Sequence, residues 1–123
     1  MVYLCHPVGT DPDDRAKNLE NTKKWFRWLM DNTDFTVCVP WYIYVVTLDE
    51  TWRKRCLRDD LIILERCDAI VLTGGRITGG MATELGLAQM GGQEVYDLTS
   101  VGYEPDEKAL DLIPDEYVVG PRQ

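Results

Sequence analysis

Histidine is almost missing from this chain: His6 is the only one in 123 residues. The four cysteines, Cys5, Cys38, Cys56 and Cys67, include no CxxC pair. Together these scarcities speak against a structural zinc site, which needs four closely placed Cys or His ligands. No metal and no other cofactor is expected. Long apolar runs are missing too. No stretch approaches the roughly 20 apolar residues of a membrane span. The opening MVYLCHPVG is too short and too uncharged to read as a secretion signal. Positive charge is scarce, with 13 Lys and Arg against 21 Asp and Glu and a net charge of −8. A general nucleic-acid partner needs a basic surface and is therefore not expected. A small anion could still be held by a few arginines and backbone amides. Cysteines within apolar segments read as buried, reduced thiols, which places the chain in the cytoplasm as an expectation.

What is present suits one globular domain spanning 1–123. The composition is 45% hydrophobic and 28% charged, and the length is sufficient for a real core. VYLC (2–5) reads as a first strand. A helix follows to about residue 31, with Asp11 as N-cap, Pro12 at its first position, and Asp13 and Asp14 complementing the dipole. Leu19, Phe26 and Met30 form its apolar stripe. Trp25 and Trp28 fall off that stripe, either covering a neighbouring loop or facing another subunit. FTVCVP (35–40) is a second strand closed by Pro40, and WYIYVVTLDE (41–50) is a loop or an extra strand. A helix over about 49–66 leads to the strand DAIVLT (68–73), the loop GGRITGG (74–80), a helix over about 80–90 and the strand QEVYDL (93–98). In the tail, 99–123, PDEKALDLI suggests a short helix, EYVVG is apolar, and Tyr103 is a candidate to close over a pocket. Strands alternating with helices imply right-handed crossovers and a parallel sheet. The expected fold is an α/β three-layer sandwich, four- to five-stranded, flavodoxin-like or Rossmann-like. Ligands in such folds bind beyond the carboxyl ends of the strands, at the point where strand order reverses.

Two acids sit where acids are costly. On a wheel of about 100° per residue, Trp52, Cys56, Leu57, Ile63, Leu64 and Cys67 form an apolar arc, with Asp60 near its middle. An unpaired buried carboxylate costs several kcal/mol, so Asp60 needs a partner or a task. Capping a loop or pairing with an arginine is the plainer account. Glu84 follows the glycine-rich loop among Met81, Leu85 and Leu87, and faces the same expected crevice. A helix N-terminus would favour that charge without any catalytic role. Two carboxylates in one crevice also suit glycosidic chemistry, one acting on an oxocarbenium-like sugar and the other on the leaving group's proton. GGRITGG fits neither common nucleotide-loop motif. Its Gly75, Arg76 and Gly80 remain candidates for contact with an anion.

Three segments in register resemble the nucleoside 2-deoxyribosyltransferase family and its nucleoside 5′-monophosphate N-glycosidase relatives: Tyr3 in VYLC, Asp60 with Asp68 in DLIILERCDAIVL, and Thr78, Gly80 and Glu84 in TGGMATELGLA. The resemblance spans residues 2–98. It implies that Glu84 is a nucleophile, that Asp60 assists departure of the base, and that Tyr3 orients Glu84. The Thr78 hydroxyl is where the monophosphate enzymes use a serine. The first loop departs from the pattern: His6-Pro7 and then Val8-Gly9 stand where relatives carry a small pair, and Pro7 has no amide hydrogen to give. His6 could replace the missing donor as a cation, beside Gly9. Trp41 and Tyr42 could stack on a base or simply cover the sheet edge. The resemblance further implies a homo-oligomer, a dimer or larger, that completes the site. The expected activity is cleavage or transfer at the N-glycosidic bond of a nucleoside or nucleoside 5′-monophosphate. The alternative is a catalytically inactive module that binds or senses the nucleotide.

Overall fold

The computed structural model describes residues 1–47 and 50–119. The start of the helix expected at 49 and the end of the EYVVG segment at 120 lie outside them. Four strands, β1 (Val2–Cys5), β2 (Val37–Cys38), β3 (Ala69–Leu72) and β4 (Glu94–Asp97), form one sheet in the order β2-β1-β3-β4. Every pairing is parallel, with Val2 beside Val37 on one side and Ala69 on the other. β1 and β3 are buried throughout. They are the continuous apolar runs that a sheet covered on both faces requires.

Four helices cover the sheet: α1 (Pro12–Asn32), α2 (Trp41–Thr47), α3 (Arg53–Arg66) and α4 (Gly79–Met90). The chain leaves β1 in one direction to reach β2, and moves the opposite way to reach β3 and β4. Right-handed crossovers then put α1 on one face and the other three helices on the opposite face. The packing agrees. Val2, Leu4, Ala69 and Val71 meet Trp25 and Leu29 of α1, while Tyr3, Cys5, Ile70 and Leu72 meet Val45, Leu64, Met81 and Ala88. The fold is thus the expected α/β three-layer sandwich, Rossmann-like, with four strands among the described residues. Among the described residues no helix is long and apolar enough to cross a membrane.

Several local expectations change. WYIYVVT is helical although its β-branched and aromatic residues favour a strand. Burial decides it: Trp41 and Val45 face inward at helical spacing, and the Trp41 indole donates to the Leu4 carbonyl at 2.8 Å. A strand would have buried Ile43, which is 69% exposed. On α1 the buried face is Asn18, Asn21, Thr22, Trp25 and Leu29, not the stripe through Phe26 and Met30, which are exposed. Trp25 is fully buried and donates from its indole to the Tyr103 carbonyl at 2.8 Å. Trp28 packs against it, ring edge to ring face. Trp25 therefore holds a loop and cannot face another subunit. On α3, Trp52 and Leu57 are half or more exposed, although Asp60 and Leu64 are buried as expected.

The tail completes the α1 face. The short helix expected in PDEKALDLI is a 3-10 helix over Glu107–Leu112, with further 3-10 turns at Thr99–Val101 and Asp115–Tyr117, and the segment buries Ala109 and Ile113 in the core beside Trp25. Tyr103 lies against α1, where its hydroxyl donates to Asn18 Oδ1 at 2.8 Å. It does not close over the crevice described below.

The loop after β3 is clamped against the loop after β1. Gly74 has φ +92°, and a Cβ there would lie 2.5 Å from Pro7 Cδ and 2.9 Å from His6 Nε2. Both the backbone conformation and the space exclude a side chain. Gly74→Ala is expected to destabilise the fold by about 2–4 kcal/mol, read as a lower midpoint in urea unfolding.

Candidate active site

β1 and β3 are the strands between which the order reverses, and a crevice of about 730 Å³ opens at their carboxyl ends. Asp60 and Glu84 both line it, one from α3 and the other from α4. His6, Gly9, Trp41, Arg76, Thr78 and Gly80 line it as well. Eight of the ten candidate residues thus share one cavity.

The two acids have different surroundings. Asp60 is 8% exposed. Three of the four arginines on its helix pair elsewhere: Arg55 and Arg58 both reach Asp59, and Arg53 reaches Glu50. Burial, then the charge of Glu84, then that of Asp59, push the Asp60 carboxyl up to about 7. The arginine partner weighed for Asp60 is absent among the described residues. Glu84 is half-buried, and desolvation raises its carboxyl above the usual range too. Interactions with Tyr3 and Cys5 oppose that rise. The Cys5 thiol donates to Glu84 Oε1 at 3.7 Å. The Tyr3 hydroxyl is buried beneath, within reach of the carboxylate but without a closed hydrogen bond. Burial first, and Glu84's charge second, hold that phenol far above its ordinary pKa. Glu84 lies in the second turn of α4 rather than at its start, so the helix dipole helps it less than expected. Local donors replace the dipole. Burial thus raises both carboxyls, and the interactions with Tyr3 and Cys5 offset the rise at Glu84.

The remaining candidates divide by what already engages them. His6 is buried, and its Nδ1 sits 2.7 Å from the Pro7 carbonyl, which can only accept, so Nδ1 carries the hydrogen. Nε2 must then accept from Asn21 Nδ2 at 2.8 Å, and that same amide donates to the Tyr103 carbonyl. Desolvation lowers the His6 pKa as well. The ring is a neutral, fully bonded part of the wall, not the cation considered for a phosphate. Thr78 caps α4 by accepting from the Met81 amide at 3.4 Å, and its hydroxyl hydrogen stays available to a ligand. Arg76 is exposed and, among the described residues, is the one Lys or Arg that lines the crevice. Trp41 forms buried wall, anchored by its indole bond, whereas Tyr42 turns away to a separate groove with Phe26 and Ile43. Gly80 leaves the wall open, with nothing within 4 Å of a Cβ.

Gly75 does not line the crevice. Its φ is +82°, and a Cβ would meet the Tyr103 backbone nitrogen at 3.1 Å, so it serves close packing against the tail. Cys5 was missed among the sequence candidates, although strand alternation places it on the same face as Tyr3. Tyr44, Leu57 and Leu61 add apolar wall that no motif marks.

The raised pKa of Asp60 has a thermodynamic consequence. A buried acid that prefers to be neutral contributes most stability below its unfolded pKa, and that contribution is lost as pH rises through about 7. Asp60→Asn, neutral at every pH, is expected to melt several degrees above wild type near about pH 8. The difference should shrink steadily toward about pH 4, close to the unfolded value. Paired thermal melts across that range check it.

No curated protein matches this chain. The family described as "Domain of unknown function (DUF7768)" matches residues 1–97, from β1 through β4, a span that includes Asp60, Glu84 and the other crevice residues named above; the chain belongs to that family.

Proposed function

We propose that this chain breaks or exchanges the N-glycosidic bond of a nucleoside or nucleoside 5′-monophosphate. The observation that carries the reading is the meeting of Asp60 and Glu84, from separate helices, in one crevice with unequal environments. Glu84 attacks the anomeric carbon as the bond to the base lengthens. The bonding pair leaves with the base, and Asp60 delivers its proton to the departing nitrogen. The product is an ester between the sugar and Glu84. Water then attacks the anomeric carbon of that ester, giving a proton to the Asp60 carboxylate and freeing Glu84. A second base in place of water makes the same site a transferase. Tyr3 orients Glu84 from below. The Thr78 hydroxyl, Gly80 and Arg76 bound the sugar or phosphate end, and the apolar wall around Trp41, Tyr44 and Leu57 accepts the flat base.

The setting fits a small-molecule enzyme of the cytoplasm that acts as a homo-oligomer. Its thiols are free, its charge repels nucleic acid, and Ile43, Val46 and Trp52 expose apolar surface beside the crevice-forming helices. A binding or sensing module is the second reading. The observation favouring it is the first loop, where Pro7 has no amide hydrogen to give and His6 is held neutral by bonds at both ring nitrogens.

Release of free base from a panel of nucleosides and monophosphates separates the two. The rate should fall as pH rises through about 7, because Asp60 must enter the reaction protonated. Glu84→Gln should lose about a thousandfold or more in turnover. A ligand that raises the melting temperature and is recovered intact would favour binding alone.

A further inference from the structure

Cys5 occupies a place that a purely structural thiol need not have. β1 is the central strand, and Cys5 is its last residue. Its carbonyl accepts from both the Thr73 amide at 3.0 Å and the Thr73 hydroxyl at 2.7 Å. Thr73 is fully buried and leads into the glycine-rich loop, so the Cys5 backbone is held from the next strand. The Cys5 side chain, 1% exposed, ends on Glu84 Oε1. This is the one closed side-chain hydrogen bond to Glu84 among the described residues. The thiol is not a nucleophile, because burial and the adjacent carboxylate hold it protonated. It is a donor on a rigid mount, and the carboxylate is its acceptor.

We propose that Cys5 is a positioning residue for Glu84: its thiol holds Oε1, fixes the carboxylate plane, and leaves Oε2 turned to the anomeric carbon. The proposal rests on the reading of Glu84 as nucleophile. A donor on the charged form also favours that form, so the thiol extends the pH range over which Glu84 is ionised. Tyr3 lies on the same strand face and also favours the Glu84 carboxylate, but its hydroxyl closes no hydrogen bond, so the thiol is the donor in contact with Oε1. Serine can replace the donor, whereas alanine removes it and leaves only a small void.

Wild type, Cys5→Ser and Cys5→Ala are compared on the nucleoside or monophosphate that wild type turns over, with thermal melts as a folding control. Cys5→Ala is expected to lose about tenfold in kcat with KM little changed, the size of one hydrogen bond to a charged group. Its acid limb in kcat/KM should move to higher pH, and Cys5→Ser should recover most of the rate and the limb. An unmoved acid limb in Cys5→Ala would overturn the proposal, as would a Cys5→Ser variant no better than alanine. The contact is also read without turnover. The Cys5 S–H stretch, assigned by its loss in Cys5→Ala, should lie below those of the other three thiols and shift upward in Glu84→Gln. A stretch insensitive to that substitution would likewise overturn the proposal. Wild type that releases no base, yet shows the shifted stretch, would instead reject the nucleophile reading while leaving the thiol–carboxylate contact in place.

Discussion

Two ionised carboxylates are costly in a crevice that buries Asp60 and half-buries Glu84 unless cations stand beside them. Three arginines of α3, Arg53, Arg55 and Arg58, pair with Glu50 and Asp59, and Arg76 is an exposed residue of the crevice lining. Burial and the charge of Glu84 push the Asp60 carboxyl up to about 7, while interactions with Tyr3 and Cys5 oppose the rise at Glu84. This difference in surroundings is what the proposed division into an acid and a nucleophile rests on. It depends on β1 carrying Tyr3 and Cys5 on one face, and on α4 passing directly over them.

The loops that frame the crevice are held rigid by contacts outside it. Gly74 and Gly75 allow the β3 loop to lie between the His6-Pro7 turn and the Tyr103 backbone. Tyr103 in turn accepts from Trp25 and Asn21 of α1, and its hydroxyl reaches Asn18. The tail therefore acts on the site from behind, as a brace rather than a lid. His6 belongs to that brace: bonded at both nitrogens, it transmits the position of α1 to the crevice wall.

Much of the architecture and part of the site were legible from residue patterns. The continuous apolar runs of β1 and β3 and the alternation with helices led to a parallel sheet, and the isolated positions of Asp60 and Glu84 on apolar faces marked the crevice acids. Where reading failed, a longer-range contact outweighed a local preference. WYIYVVT has strand propensity, yet the Trp41 indole finds the Leu4 carbonyl only when the segment is helical. Trp25 lies off the stripe of Leu19, Phe26 and Met30, but the polar residues Asn18, Asn21 and Thr22 share its buried face because Tyr103 of the tail partners both asparagines and the Thr22 hydroxyl donates back to the Asn18 carbonyl. Gly75 resembled a ligand-loop residue because close packing and ligand approach ask for the same lack of a side chain.

The sequence by itself determined the sheet, its covered faces and the presence of two acids where charge is costly, since these follow from local periodicity and composition. Tertiary structure alone decided that burial and Glu84 raise the Asp60 carboxyl, that His6 is neutral, and that a cysteine ends on Glu84. Those outcomes depend on distances between groups far apart in the chain, and no pattern of neighbouring residues encodes them.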